Sequence, residues 1–303
     1  MTEKQPLLSE GEQLDAVLGG LQAAHEVREF SGWESGFLNL SRALDGMLPG
    51  LYLLIGPPAC GKTAFAKQLF DQVIQHNAVP GIFFSFTETN TELRIRTLSR
   101  LSDLENKEIR RGSAYLLHWY GVPKTSSTDT AQLPPSWERL RRSAEEARSW
   151  LNLTYLVECN RDTDLQQIES QISELTRIKR TDRLIIVIDD CQRLGAGDRP
   201  PANRLAAVAD QLQSMAKKLH APVIAVCPDV SDQREALPAA WADRVPGADV
   251  ILLMEPGPKE VETLTEPTRL IRLHVVKNRS GERGQLAFDF FPAFAKFVET
   301  QSR

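Results

Sequence analysis

The chain has 303 residues, 42% hydrophobic and 25% charged, with a formal net charge of −4 and a pI near 5.8. This is the balance of an ordinary globular protein, long enough for one large α/β domain or two small ones. It excludes a protein that holds nucleic acid through a bulk positive field, so any such contact has to come from a local patch or from patches ringed in an oligomer.

The N-terminus, MTEKQPLLSEGEQ, has no apolar segment of the secretory kind. No run of about eighteen apolar residues occurs, so no membrane span and a cytoplasmic chain are expected. Cys60, Cys159, Cys191 and Cys227 are far apart in sequence and form no CxxC pair. Reduced thiols are expected, and the scattered histidines give no metal site with them.

Residues 1–32 read as an N-terminal extension. Leu14, Val17, Leu18 and Leu21 recur at helical spacing and make one apolar stripe on a short linker helix, weakened by Gly19 and Gly20. The stripe packs either on its own domain or on a neighbouring subunit. Residues 33–303 read as one α/β domain. LYLLI (51–55) is a strand, followed by a glycine-rich turn and a helix to about Ile74. GIFFSF (81–86) is a strand and ELRIRTLSRL (92–101) a helix; LTYLVE (153–158) and LQQIESQISEL (165–175) repeat the pair. LIIVID (184–189) is a strand, RLAAVADQLQSMAKKL (204–219) a helix, and PVIAV (222–226) and DVILLME (249–255) are strands. LIRLHVV (270–276) and QLAFDF (285–290) follow with no helix between them. Strands alternating with helices predict a mostly parallel, doubly wound twisted sheet flanked by helices, with the last two strands as an antiparallel edge. Residues 121–136 and 228–247 read as surface loops.

The chemistry is carried by GPPACGKT, which matches the P-loop pattern and lies between a strand and a helix, as that motif needs. Gly56, Pro57, Pro58, Ala59, Cys60 and Gly61 form a loop whose N–H groups can turn inward on phosphate, at the positive end of a helix. Lys62 is expected to reach the β- and γ-phosphates of ATP, and Thr63 to offer its hydroxyl to Mg²⁺. Cys60 is read as a small tolerated side chain, with a redox-sensitive thiol as the alternative. LIIVID ends in Asp189, a second candidate Mg²⁺ ligand at the C-terminal end of a central strand. GIFFSF leads into Glu88, the candidate for polarising the attacking water; the other reading is an acid that caps the following helix. KNRSGERG (277–284) reads from its residue types as an ordinary polar hairpin; the other reading is that its cations Lys277 and Arg279 reach a phosphate on an adjacent subunit.

With these pieces in order, residues from about Gly32 to Glu299 resemble the RecA-type ATPase domain of the DnaB replicative helicase family, and its relatives the RadA/Sms and KaiC ATPases. SGFLNLSRALDGMLPGLYLLIGPPACGKT resembles the family's entry segment and P-loop. FFSFTETNTELRIR resembles the strand and helix that bear its catalytic glutamate. EIRRG and the helix led by Trp137 resemble the region after it. LIIVIDDCQRL resembles its Walker B strand with a following Gln, here Gln192; NRLAAVADQLQSMAKKLHAPVIAV resembles the next helix and strand. KNRSGERGQLAFDF resembles the closing hairpin, where the family has a Lys and an Arg acting in trans, which implies those roles for Lys277 and Arg279.

Three departures stand beside the resemblance. Residues 1–32 stand where the helicases have a separate helical domain. A gap-free alignment with DnaB puts Thr87 at the glutamate and Glu88 one residue late, whereas the KaiC type matches Glu88 to the second of two adjacent glutamates. Pro228 falls at or near a Gln thought to sense the γ-phosphate, and a proline ring cannot do that work. The resemblance implies an ATPase with ATP and Mg²⁺, acting as a homo-oligomer, a hexameric ring. In the leading reading it is a helicase-type motor on single-stranded DNA, in replication or repair. Its central loops would then offer Arg199, Arg204, Arg234 and Arg244 to the strand, although solvated loops are the plainer reading of these arginines. In the alternative it is a KaiC- or RadA-like ATPase that switches a protein partner. A third reading, supported by Thr87, is a degenerate ATPase serving as a scaffold.

Overall fold

The computed structural model describes residues 29–119, 135–194, 201–228, 240–257 and 268–300, together with Leu14. They contain one sheet of nine strands: β1 (Gly50–Gly56), β2 (Gly81–Ser85), β3 (Thr154–Glu158), β4 (Ile185–Asp189), β5 (Pro222–Pro228), β6 (Val250–Pro256), β7 (Arg269–Asn278), β8 (Gly284–Phe291) and β9 (Lys296–Glu299), in the order β3-β2-β4-β5-β1-β6-β7-β8-β9. The first six in that order run parallel, and β6 to β9 pair antiparallel. Burial explains the sequence pattern. β1, β2 and β4 are buried along their whole length, and a strand covered on both faces reads as a continuous apolar run.

Alternate residues of those strands feed two cores. On one face Tyr52, Leu54, Phe83, Val187 and Val226 pack with Phe65, Leu69 and Val73 of the helix Lys62–Asn77. On the other, Leu53, Ile55, Phe84, Ile188 and Ala225 pack with Ile168 and Ile172 of the helix Leu165–Lys179 and with Leu212 and Met215 of the helix Pro201–Leu219. The doubly wound expectation holds. β7 and β8 pair antiparallel as expected, and a strand the sequence reading missed, β9, extends that edge by one. Its four residues are too short for a visible alternation. What fixes it is packing, because Phe297 stacks on Phe290 with ring centroids 4.2 Å apart. Its backbone also exchanges two hydrogen bonds with Gln68 of the helix Lys62–Asn77, at 2.9 and 2.7 Å.

That helix is tied to its neighbour, Asn90–Ser102, by buried charge. Lys67 donates to Asp71 and Thr97, Thr97 donates to Asp71, and Arg100 donates to Asp71. Burial opposes ionisation of Asp71, but Lys67 and Arg100 outweigh it and hold its carboxyl below the usual range. Such a network fixes two helices in one register, and removing one member would leave uncompensated buried charge. The Leu14–Leu21 stripe lies outside the described residues except for Leu14, which is exposed. Residues 121–134 and 229–239 of the expected loops also lie outside them. Among the described residues no helix is long and apolar enough to cross a membrane.

Candidate functional site

Gly56 ends β1, and the chain turns through Ala59 at φ 60° and Gly61 at φ 95° before the helix begins at Lys62. Left-handed residues in such a turn direct backbone N–H groups toward one side, which makes an anion-binding concavity. Gly61 has a second constraint: a Cβ there would lie 2.9 Å from the Phe290 ring. No side chain caps the N-terminus of the helix, so its first-turn donors have no side-chain acceptor and face an incoming anion. Lys62 Nζ donates to the carbonyls of Gly56 and Pro57 at 2.8 and 2.7 Å, which holds the ammonium over the loop. Cys60 is buried, and burial pushes its thiol up while Lys62 pulls the other way. It fits the reading as a small packing side chain.

The end of β4 meets this loop. The Thr63 hydroxyl donates to Asp189, 3.0 Å from Oδ2, and the Thr87 hydroxyl donates to the same oxygen at 3.1 Å. Asp189 is 2% exposed. Burial pushes its carboxyl up to about 6, the two hydroxyls pull it down, and Glu88 and Asp190 push it up. A buried carboxylate beside a threonine hydroxyl, next to a phosphate cradle, has the donor set Mg²⁺ takes when phosphate oxygens complete its shell. The described residues hold no cluster of three or more acidic, histidine or cysteine side chains that could form an all-protein metal cage. Asp190 takes a left-handed conformation and pairs with Arg193, out of this arrangement.

Thr87 and Glu88 divide differently from the simplest expectation. Ser85 holds the turn, accepting from Glu88 N at 2.9 Å and donating to Glu88 O at 2.8 Å. This sends the Thr87 side chain to Asp189 and the Glu88 carboxylate to Arg96, whose Nε donates at 2.7 Å and whose Nη2 also donates. Glu88 is not the helix cap: Thr89 is, in a capping box with Glu92. Thr87 therefore faces Asp189, and Glu88 faces Arg96. Arg96 was not legible in sequence, because an ion pair eight residues apart across a turn has no local signature.

Gln192 donates to the carbonyl of Pro228 at 3.4 Å, joining the end of β4 to the end of β5. The proline ring has no donor, but its backbone takes part. Cys191 and Cys227, remote in sequence, lie with Sγ atoms 2.7 Å apart in the same core.

Lys277 and Arg279 stand at the opposite edge of the sheet. Asn278 pairs with Val250, and Val250 with Tyr52 near the start of β1, whereas the P-loop leaves the end of β1. By this register Lys277 is level with Leu53 and Asn278 with Tyr52, so about three to five residues of β1 separate the pair from Gly56, about 10–17 Å along the strand at the usual rise. Lys277 Nζ donates to Pro246 O at 2.9 Å, and Arg279 pairs with Asp249 at 2.9 Å. Burial and the neighbouring Arg279 push the Lys277 amine down. Of the four candidate nucleic-acid arginines, Arg199 and Arg234 lie outside the described residues, and Arg204 is placed only by its backbone in the helix Pro201–Leu219. Arg244 is exposed and lies over the Trp241 ring at 5.2 Å.

Comparison with known proteins gives this geometry a family. The profile described as "DnaB-like helicase C terminal domain" matches residues 32–299. A "Probable replicative DNA helicase" of Trieres chinensis is 22% identical over 98% of this chain and 64% of its own length. A "Replicative DNA helicase DnaB" of Geobacillus stearothermophilus is 23% identical over 91% of this chain and 58% of its own. The chain thus spans less than two thirds of these curated relatives. Among solved structures, one described as an ATPase domain superposes with a TM-score of 0.75 at 19% identity, over 98% of this chain and all of that one. A DnaB-like replicative helicase described with its interactions with primase gives 0.71 at 19% identity, over 99% of this chain and 69% of that one.

Proposed function

The chain belongs to the DnaB-like helicase C-terminal domain family, and from that premise we propose that it is an ATP-hydrolysing motor of the replicative-helicase type that acts on single-stranded DNA as an oligomeric ring, a hexamer. One observation carries the reading: the Thr63 hydroxyl and the Asp189 carboxylate converge at 3.0 Å directly beside an uncapped helix N-terminus and the P-loop lysine. Gly56 to Gly61 would cradle the phosphates of ATP and Lys62 would offset their charge. Thr63 and Asp189 would hold Mg²⁺, which supplies further charge neutralisation on the transferring phosphoryl group. Glu88, once released from Arg96, would be the residue that orients water. Lys277 and Arg279 stand at the far edge of their own sheet, so a neighbour's nucleotide is the one they would serve. Arg199, Arg204, Arg234 and Arg244 would be the cations offered to the DNA.

Family membership supports this motor over a KaiC-like switch that turns on a protein partner. The test is ATP turnover with and without single-stranded DNA, beside Lys62→Ala and Arg279→Ala. Turnover raised several-fold by DNA and abolished by both substitutions supports the motor. Turnover indifferent to DNA overturns it in favour of the partner switch.

A further inference from the structure

Asp249, between the end of the helix Ala240–Arg244 and β6, makes more connections than a strand-edge acid needs. Its Oδ1 pairs with Arg279 Nη1 at 2.9 Å, and its carbonyl accepts from Arg279 N at 3.0 Å. Its Oδ2 accepts from Leu51 N at 2.9 Å, and its own N–H donates to Leu51 O at 3.0 Å. Gln213 of the helix Pro201–Leu219 reaches Oδ1 at 3.5 Å. Gly50, at φ 154°, leaves room for it, because a Cβ there would lie 3.0 Å from Oδ2. One small, largely shielded side chain therefore grips the arginine of the closing hairpin and the first residues of the strand that ends in the P-loop. The rest of the hairpin is stiff, since Asn278 donates to Ala43 O and Glu282 O and accepts from Ser280 N.

We infer that Asp249 is a positioning residue that fixes Arg279, the cation offered to a neighbouring copy's nucleotide, to the strand carrying this copy's own P-loop. The inference rests on the reading of Arg279 as acting in trans. A guanidinium half-exposed on a long stem has many rotamers, and a charge-assisted bond to a shielded carboxylate selects among them before docking. The same carboxylate reads the start of β1. A shift of that strand when nucleotide binds at its far end would be felt at the arginine, a rigid route from one site to the next in a ring.

The experiment uses mixed assemblies of the full chain. Lys62→Ala copies keep Arg279 but cannot use ATP; Arg279→Ala copies keep the P-loop but lack the arginine. Mixed, they should regain ATP turnover that neither has alone, at interfaces where the first donates to the second. Asp249→Asn is then added to one copy at a time. Asn keeps an acceptor for Leu51 N–H and loses the charge toward Arg279. Placed in the arginine donor, it should lower recovered turnover about tenfold or more, as small misplacements of a reacting group do; in the nucleotide-holding copy it should leave turnover within about twofold. If Asp249→Asn does not fold, Asp249→Glu keeps the charge with one added methylene, and the same donor-only loss is expected. Failure of the two parent copies to complement removes the trans reading and this inference with it. Complementation with no donor effect, or an equal loss in both placements, removes this inference alone, leaving Asp249 as a support for β1.

Discussion

The two edges of the parallel sheet present different groups. At the C-terminal edge stand an anion cradle, a lysine and a threonine–aspartate pair, assembled from the ends of β1 and β4 within one copy. At the N-terminal edge stand Lys277 and Arg279, whose present partners are Pro246 and Asp249 rather than anything near the P-loop. On the proposed reading the first edge would hold the metal–nucleotide of its own copy, and the second would offer its cations to that of a neighbour. The site would then be complete only between copies.

The largest expected effect tests the first edge by itself. Lys62→Ala should weaken ATP binding by about a hundredfold, the scale of losing charge-assisted bonds to phosphate, and take turnover below detection. A fluorescent-nucleotide titration checks it, and unaltered affinity would mean that the cradle is not the ATP site. Next comes the second edge. Arg279→Ala should lower turnover about a thousandfold, as loss of a transition-state arginine does, while leaving the nucleotide titration unmoved. Binding lost along with turnover would place Arg279 in ground-state recognition or in assembly and erase the contrast between the edges.

How far the sequence told this story depends on whether the signal is local. The P-loop was legible because a strand, a glycine turn and a helix start fall within one short window, and the parallel strands because burial on both faces leaves unbroken apolar runs such as LIIVI. Asp189 was legible as the polar end of such a run. Arg96 and Asp249 were not, because each acts on residues brought to it by the fold: Glu88 around a turn in one case, Leu51 and Arg279 from distant strands in the other. The Cys191–Cys227 contact and the Arg100 arm of the buried network on Asp71 were hidden for the same reason, and β9 because four residues show no alternation.

The register at 87–88 sharpens the comparison, since it decides whether the C-terminal edge also holds its own base. If Glu88 leaves Arg96 to act on water, Glu88→Gln should lower turnover about a hundredfold, the usual worth of a general base, and Thr87→Ala should cost far less. Pre-steady-state turnover by both variants under saturating Mg²⁺ and ATP separates the cases. Full activity in Glu88→Gln would make that residue a structural partner of Arg96 and place the group that orients water elsewhere, whereas no turnover in the unsubstituted protein would favour the degenerate-ATPase reading.

The smallest effect is on stability, and its sign is opposite to the effect on function. The Asp189 carboxyl is pushed by burial to about 6, above its ordinary value of 3.8. Between these values the folded state holds more protons than the unfolded one. This group's contribution to stability therefore falls as pH rises through that window and stays lost above it. Asp189→Asn removes the buried charge and keeps an acceptor for the Thr63 and Thr87 hydroxyls. Without metal at pH 8 it should stabilise the protein by about 2 kcal/mol, a few degrees in Tm for a chain this long. At pH 5 the gain should shrink. Adding Mg²⁺ and nucleotide should reverse the ranking, because ligand that binds the native carboxylate site stabilises only the unsubstituted protein to the full extent. Thermal unfolding at the two pH values, with and without ligand, reads all of this. A destabilised Asp189→Asn at pH 8 would mean that Asp189 is a structural acceptor at the end of β4, and the metal half of the C-terminal edge would have to be sought elsewhere.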